Sequence, residues 1–237
     1  MDNIRKVYEN NTNKILGEDR DYFKSFRESL LNNINLDKSI IKNNESIKFL
    51  DPNIFNNLSY KIDDYKHKSS YLNNDEIESS IIIKNGLDFD LVNINREKIF
   101  FNLLYSDINL LIDNIEKSKD KFHDDYVEKI NSIFLNSGFN FTLKENNNSK
   151  IFLIHKNDKS NETFYTKNFF NIQKNSKLIL IEKFNDEIPS NSNIINFFNL
   201  EEGSELIHLV IQNNCKDSSL QFTSYSNCEK DSKLNQL

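Results

Sequence analysis

Four histidines and two cysteines are the residues of this 237-residue chain best suited to metal binding or nucleophilic chemistry: His67, His123, His155, His208, Cys215 and Cys228. No two histidines sit at metal-ligand spacing, and the cysteines, 13 residues apart, form no C-x-x-C pair. His123 with Asp124 and Asp125 could ligate a metal, but capping carboxylates at a helix start explain the cluster better. His208 is the residue to watch, because sister repeats hold aliphatic residues in its column, read as Leu180 and Leu153. An imidazole there is either a satisfied core histidine or a site residue, and the core reading is preferred. Cys228 shares a column with Ile172 and Leu200, which suggests a small buried hydrophobe. Cys215, in the polar stretch NNCKDSS, is expected at the surface as the one reactive thiol. His208 and Cys215 are thus the only metal candidates to name, and spacing assigns neither of them a ligand role. Glu201 and Glu202 belong to a solvated corner, with no partner group for acid or base work.

The four glycines, Gly17, Gly86, Gly138 and Gly203, lie far apart. This excludes the clustered-glycine phosphate loops of nucleotide-binding enzymes. No serine occupies a G-x-S-x-G elbow. No catalytic residue and no cofactor-binding residue is predicted, and the chain reads as a scaffold or interaction protein rather than an enzyme.

The elements that must position these residues announce themselves by repetition. Residues 169–184 read FFNIQKNSKLILIEKF and residues 197–212 read FFNLEEGSELIHLVIQ. Aligned on Ser176, Ser204 and Ser232, the copies recur at 28 and 28 residues. Further columns agree: Asn171, Asn199 and Asn227; Leu178, Leu206 and Leu234; Phe169, Phe197 and Tyr225. A weaker copy, NNSKIFLIHK, places Ser149 and Ile151 at an interval of 27. A fixed period with persistent apolar columns is what stacked solenoid coils require, since each coil presents its inward residues to the next. Corner segments QKNS, EEGS and EKDS vary, as water-facing turns do. Both faces of LILI and IHLVI are apolar, which suits a parallel strand better than a half-exposed antiparallel one. The fold class expected is mainly β: an incomplete right-handed parallel β-helix, preceded by an α/β N-terminal segment. An antiparallel meander or sandwich is the rival.

Two units are expected, an N-terminal segment over residues 1–120 and a β-helix core over 121–237, with a linker near 66–80. Phe23, Phe26, Leu30 and Leu31 fall at helical spacing within residues 21–33. Asn85-Gly86 marks a tight hairpin inside SIIIKNGLDFDLVNI. Helical stretches are predicted over 96–104 and 124–134, with Gly138 ending the second.

Composition sets outer bounds. Hydrophobic residues make up 37% of the chain and charged residues 28%, and mean hydropathy is -0.64. Nineteen Phe and nine Tyr nevertheless argue for a folded chain. A net charge of -6 argues against a protein that tracks a nucleic-acid backbone. The first residues match neither a secretory signal nor a transit peptide, no window resembles a membrane span, and a cytoplasmic location is expected.

The run DYVEKINSIFLNSGFNFTLKENNNSKIFLIH, followed by LIEKF and LIHL, resembles the SufB/SufD family of iron–sulfur cluster assembly proteins, and its SufD branch most. NNESIKFL is similar to that branch's E-x-W-K-Y segment, with Ile47 for Trp and Phe49 for Tyr, and SIIIKNGLDFDL resembles its N-G turn. The resemblance covers residues from about 45 onward. It implies a β-helix core and a non-catalytic subunit that pairs with a SufB-like subunit and a SufC-like ATPase. It implies no cofactor bound by this chain alone, the iron–sulfur cluster belonging to the complex. Family members continue through further coils to SufC-docking helices that have no counterpart here. The chain is therefore expected to be a fragment or a shortened form, and no functional residue is carried over.

Overall fold

The computed structural model describes residues 2–34, 69–119, 126–158, 163–213, 215 and 217–237. Helices α1 (Asp2–Asn11) and α2 (Asp21–Asn33) open the chain. Strands β1 (Ser69–Leu72), β2 (Ser80–Lys84), β3 (Asp88–Val92) and β4 (Ile99–Leu103) follow. Then come helices α3 (Ile108–Lys119) and α4 (Tyr126–Phe134). Eight further strands alternate between two sheets: β5 (Ser137–Leu143), β6 (Asn148–Asn157), β7 (Thr163–Ile172), β8 (Lys177–Asp186), β9 (Asn191–Leu200), β10 (Glu205–Asn213), β11 (Ser219–Cys228) and β12 (Lys233–Gln236).

The first sheet has the order β1-β3-β2-β6-β8-β10-β12 and the second β11-β9-β7-β5-β4. Every pairing among β5 to β12 is parallel, so this is a parallel β-solenoid and the antiparallel rival fails. The columns read from the sequence are columns in space: Leu178↔Leu206↔Leu234, Asn171↔Asn199↔Asn227, Phe169↔Phe197↔Tyr225. Asn227 donates its amide to Asn199 at 2.9 Å.

Corners repeat for a backbone reason. Each holds one residue in the left-handed region: Asn146, Asn175, Gly203 and Asp231, with φ of 58°, 55°, 69° and 58°. Asn, Gly and Asp are the residues that tolerate it. In three successive corners the serine N–H closes onto the carbonyl three residues earlier, at 3.2, 3.0 and 3.2 Å for Ser176, Ser204 and Ser232. The left-handed turn belongs to this corner position, whereas the Asn171 column lies in extended strand.

Four expectations are corrected. The first copy aligns at an interval of 29, Asn148 facing Lys177 and Ile151 facing Leu180, so Leu153 faces Glu182 and not the column of His208. Intervals of 27 and 29 differ by two residues, which leaves the same side chains inward, so alternation alone cannot separate them. The stretch near 96–104 forms β4, antiparallel to β5, because Ile99, Phe101 and Leu103 alternate inward. Gly138 lies inside β5 with φ +145°, where an added Cβ would stand 1.8 Å from the carbonyl oxygen of Lys167. Cys228 is exposed rather than buried.

Helix α2 forms as predicted and buries Phe23 and Leu31. Asn85 and Gly86, at φ of 51° and 67°, make the β2–β3 hairpin turn. The described part of the predicted linker supplies β1, and β2, β3 and β4 share the inter-sheet core with the later coils: Ile83, Phe89 and Phe101 pack in one cluster with Phe139, Leu180 and Phe198. The outer face of the second sheet is roofed by helices. Ile130, Phe134 and Leu31 pack with Tyr165, and Phe23, Leu111 and Ile115 with Phe169. His67, His123, Asp124, Asp125 and the segment NNESIKFL lie outside the described residues.

Candidate functional site

Strand β8 alternates inward through Leu178, Leu180, Glu182 and Phe184. Three of these suit an apolar interior. The fourth, Glu182, is a carboxylate with no solvent exposure, set between two sheets.

An isolated buried carboxylate is costly unless it is paired and hydrogen-bonded, and neighbouring coils supply the partners. His155 on β6 meets Glu182 Oε1 through Nε2 at 2.8 Å, and His208 on β10 meets Oε2 through Nε2 at 2.9 Å. From the opposite sheet, the Asn196 amide donates to Oε2 at 2.7 Å and in turn accepts from Asn168 at 2.9 Å. Gln236 Nε2 lies 3.1 Å from His208 Nδ1. Because an amide N–H donates, Nδ1 of His208 accepts, and its Nε2 carries the hydrogen directed at Glu182. Gln236 also donates to Ser224 at 3.1 Å. A hydrogen-bonded chain therefore runs from the buried Asn168 through Glu182 and His208 to the exposed Gln236 and to Ser224. Phe184 stacks on His155 at 4.5 Å, and Phe198 lies 5.0 Å from the His208 ring.

Burial is the largest single influence on the Glu182 carboxyl and pushes its pKa up. Hydrogen bonds from His155 and His208, with electrostatic attraction to both, outweigh burial and hold it below the ordinary value. The group stays ionised at neutral pH inside the stack. One carboxylate thereby ties β6, β8 and β10 together and binds that sheet to β9. Sequence reasoning identified His208 as a core histidine or a site residue, and the structure places it in a fully satisfied interior position. It missed Glu182 and His155. The signal was available in LILIEKF, where counting every second residue from Leu178 puts the glutamate on the inward face.

A second buried polar group lies under α4. Lys167 of β7 donates to Glu128 and to Ser132, and Ser132 donates its own hydroxyl to Glu128 at 2.7 Å. This serine–lysine contact differs from a nucleophile and its base, because the carboxylate engages both groups. Nearby, Arg27 is fully buried, donating to the carbonyl of Leu16 at 2.6 Å and to Glu18 at 3.1 Å. Burial pulls its pKa down to about 10, partly opposed by Glu18, so it remains charged at neutral pH.

Of the named metal candidates, His208 faces Glu182 while Cys215 is half-buried in the β10–β11 connection. Among the described residues no group of three or more His, Cys, Asp or Glu is arranged to hold a metal ion. No described helix is long and apolar enough to cross a membrane. The site and fold define a parallel β-solenoid braced by an internal Glu–His pair of contacts. No protein-family model matches the sequence, and no curated protein matches it.

Proposed function

We propose that this chain is a SufD-like, non-catalytic scaffold subunit of an iron–sulfur cluster assembly complex. Its partners in this reading are a SufB-like subunit and a SufC-like ATPase in the cytoplasm, with the cluster held by the assembled complex. One observation carries the reading. The phrases LIEKF and LIHL, on which the resemblance rests, lie on adjacent parallel strands, Leu180 facing His208 and Ile181 facing Leu209, and Glu182 of the first is hydrogen-bonded to His208 of the second. Two loose sequence motifs thus touch through one buried contact, which supports reading them together. A saturated, sealed carboxylate suits a rigid coil stack that presents surfaces to other subunits.

The test is co-expression with the SufB-like and SufC-like proteins of the same genome. The expected result is a stable complex containing all three chains on size-exclusion chromatography. Association of the other two while this chain elutes alone would count against the role. A β-solenoid interaction module unrelated to cluster assembly is the second reading. It is favoured by an apolar outer face of the first sheet that no described helix covers.

A further inference from the structure

The two sheets differ in what lies outside them. The second sheet's outer face is roofed by α2, α3 and α4. The first sheet's outer face carries Phe152 and Ile154 on β6, Ile179 and Ile181 on β8, and Ile207 and Leu209 on β10. These are contiguous in register, Phe152 facing Ile181 and Ile181 facing Leu209. All six are only partly buried, and none belongs to any of the three apolar cores among the described residues. Ile211, which extends the strip, is 41% exposed. Parallel sheets are ordinarily covered on both faces, most often by helices, and a contiguous apolar patch marks an interaction surface.

The charges around the strip say what kind of partner fits. Lys150 is paired with Glu78 at 3.0 Å and Lys177 with Glu205 at 3.0 Å. Lys183 lies between Ile154 and Ile211 at one end of the strip, Lys156 lies two residues further along β6, and neither makes an ion pair among the described residues. Lys183 instead reaches over the Phe152 ring at 5.0 Å. Two ammonium groups without an ion pair among the described residues thus lie at one end of an aliphatic surface, on a chain of net charge -6.

We infer that the outer face of β6, β8 and β10 docks an amphipathic helix of another protein, its apolar stripe on the isoleucines and its flanking carboxylates on Lys156 and Lys183. The helix occupies on this sheet the place that α4 occupies on the other. Apolar burial supplies affinity, and the lysines set the sign of the partner and the salt dependence. This inference stands on the surface itself and does not depend on the assembly role.

The probe is a fluorescein-labelled peptide of about 18 residues, or five helical turns, with leucines on one face and glutamates on both flanks. Its twin carries lysines in place of the glutamates. Fluorescence anisotropy with the full chain is expected to show the acidic peptide binding about fivefold more tightly than its twin. In the double variant Lys156→Glu/Lys183→Glu the preference is expected to reverse. An unchanged circular dichroism spectrum and thermal midpoint show that this variant is folded. Equal binding of the two peptides, or no binding of either, overturns the inference. So does binding to phosphatidylglycerol vesicles without binding to the acidic peptide, which would make the face a membrane surface. Self-association that excludes the peptide would make the occupant a second copy and overturn it likewise.

Discussion

Replacing Glu182 by Gln keeps the side chain's shape and removes its charge. The carboxylate accepts three hydrogen bonds, two from imidazoles and one from Asn196. A glutamine offers one acceptor oxygen: with its N–H toward His208 and Asn196 two donors are opposed, and with its N–H toward His155 that ring must move its hydrogen to an Nδ1 that has no described protein partner. His208 cannot relieve the conflict by moving its hydrogen to Nδ1, because Gln236 occupies that nitrogen. Leaving a buried donor unmatched costs about 2 kcal/mol, equivalent to a fall of about 4–8 °C in thermal midpoint for a chain of this size. Glu182→Leu removes every acceptor and is expected to cost about 4 kcal/mol. The exposed Glu187→Gln should stay within about 0.5 kcal/mol of the parent. Acid behaviour supplies an independent readout. A carboxyl whose folded pKa lies below its ordinary 4.5 binds fewer protons folded than unfolded. Its contribution is therefore fully present above that ordinary value and lost as pH falls through the depressed one. The parent should lose stability across this window, and Glu182→Gln should lack that share of the loss. Thermal melts and urea titrations from neutral pH down to acid measure both effects. A Gln variant with the parent's midpoint and the parent's acid limb would refute the claim that this residue braces the coils.

Three paired comparisons follow from the geometry. Gly138→Ala should cost at least about 3 kcal/mol in urea unfolding, since its Cβ would overlap a backbone carbonyl. Gly203→Ala meets only the side-chain oxygen of Asn175 and should cost about 1 kcal/mol for its left-handed φ of +69°. Arg27→Met leaves the Leu16 carbonyl without its donor and should lower stability by about 3 kcal/mol, more than Glu18→Gln, whose side chain is 19% exposed. Between the two amide ladders, Asn196→Ala should cost about 2 kcal/mol because it strips a donor from Glu182. Asn227→Ala, at the exposed ladder, should change stability by less than about 0.5 kcal/mol.

Local chemistry made several elements legible without coordinates. Asn85-Gly86 specifies a turn because both residues accept positive φ, and α2 is written in the spacing of Phe23 and Leu31. The coil period was readable because stacking forces each apolar residue to recur where its counterpart will lie, as Leu178, Leu206 and Leu234 do. Tertiary structure decided the rest. Strand periodicity is two, so it could not distinguish a 27-residue offset from the 29-residue one that sets His155 beside Phe184 and within reach of Glu182. The 96–104 stretch became a strand because β5 offered an edge to pair with. Counting by twos turns the glutamate of LILIEKF inward, but which imidazoles meet it depends on residues 26 and 27 positions away. Such partners are chosen by how coils register on one another, a property of the stack that no single stretch of chain encodes.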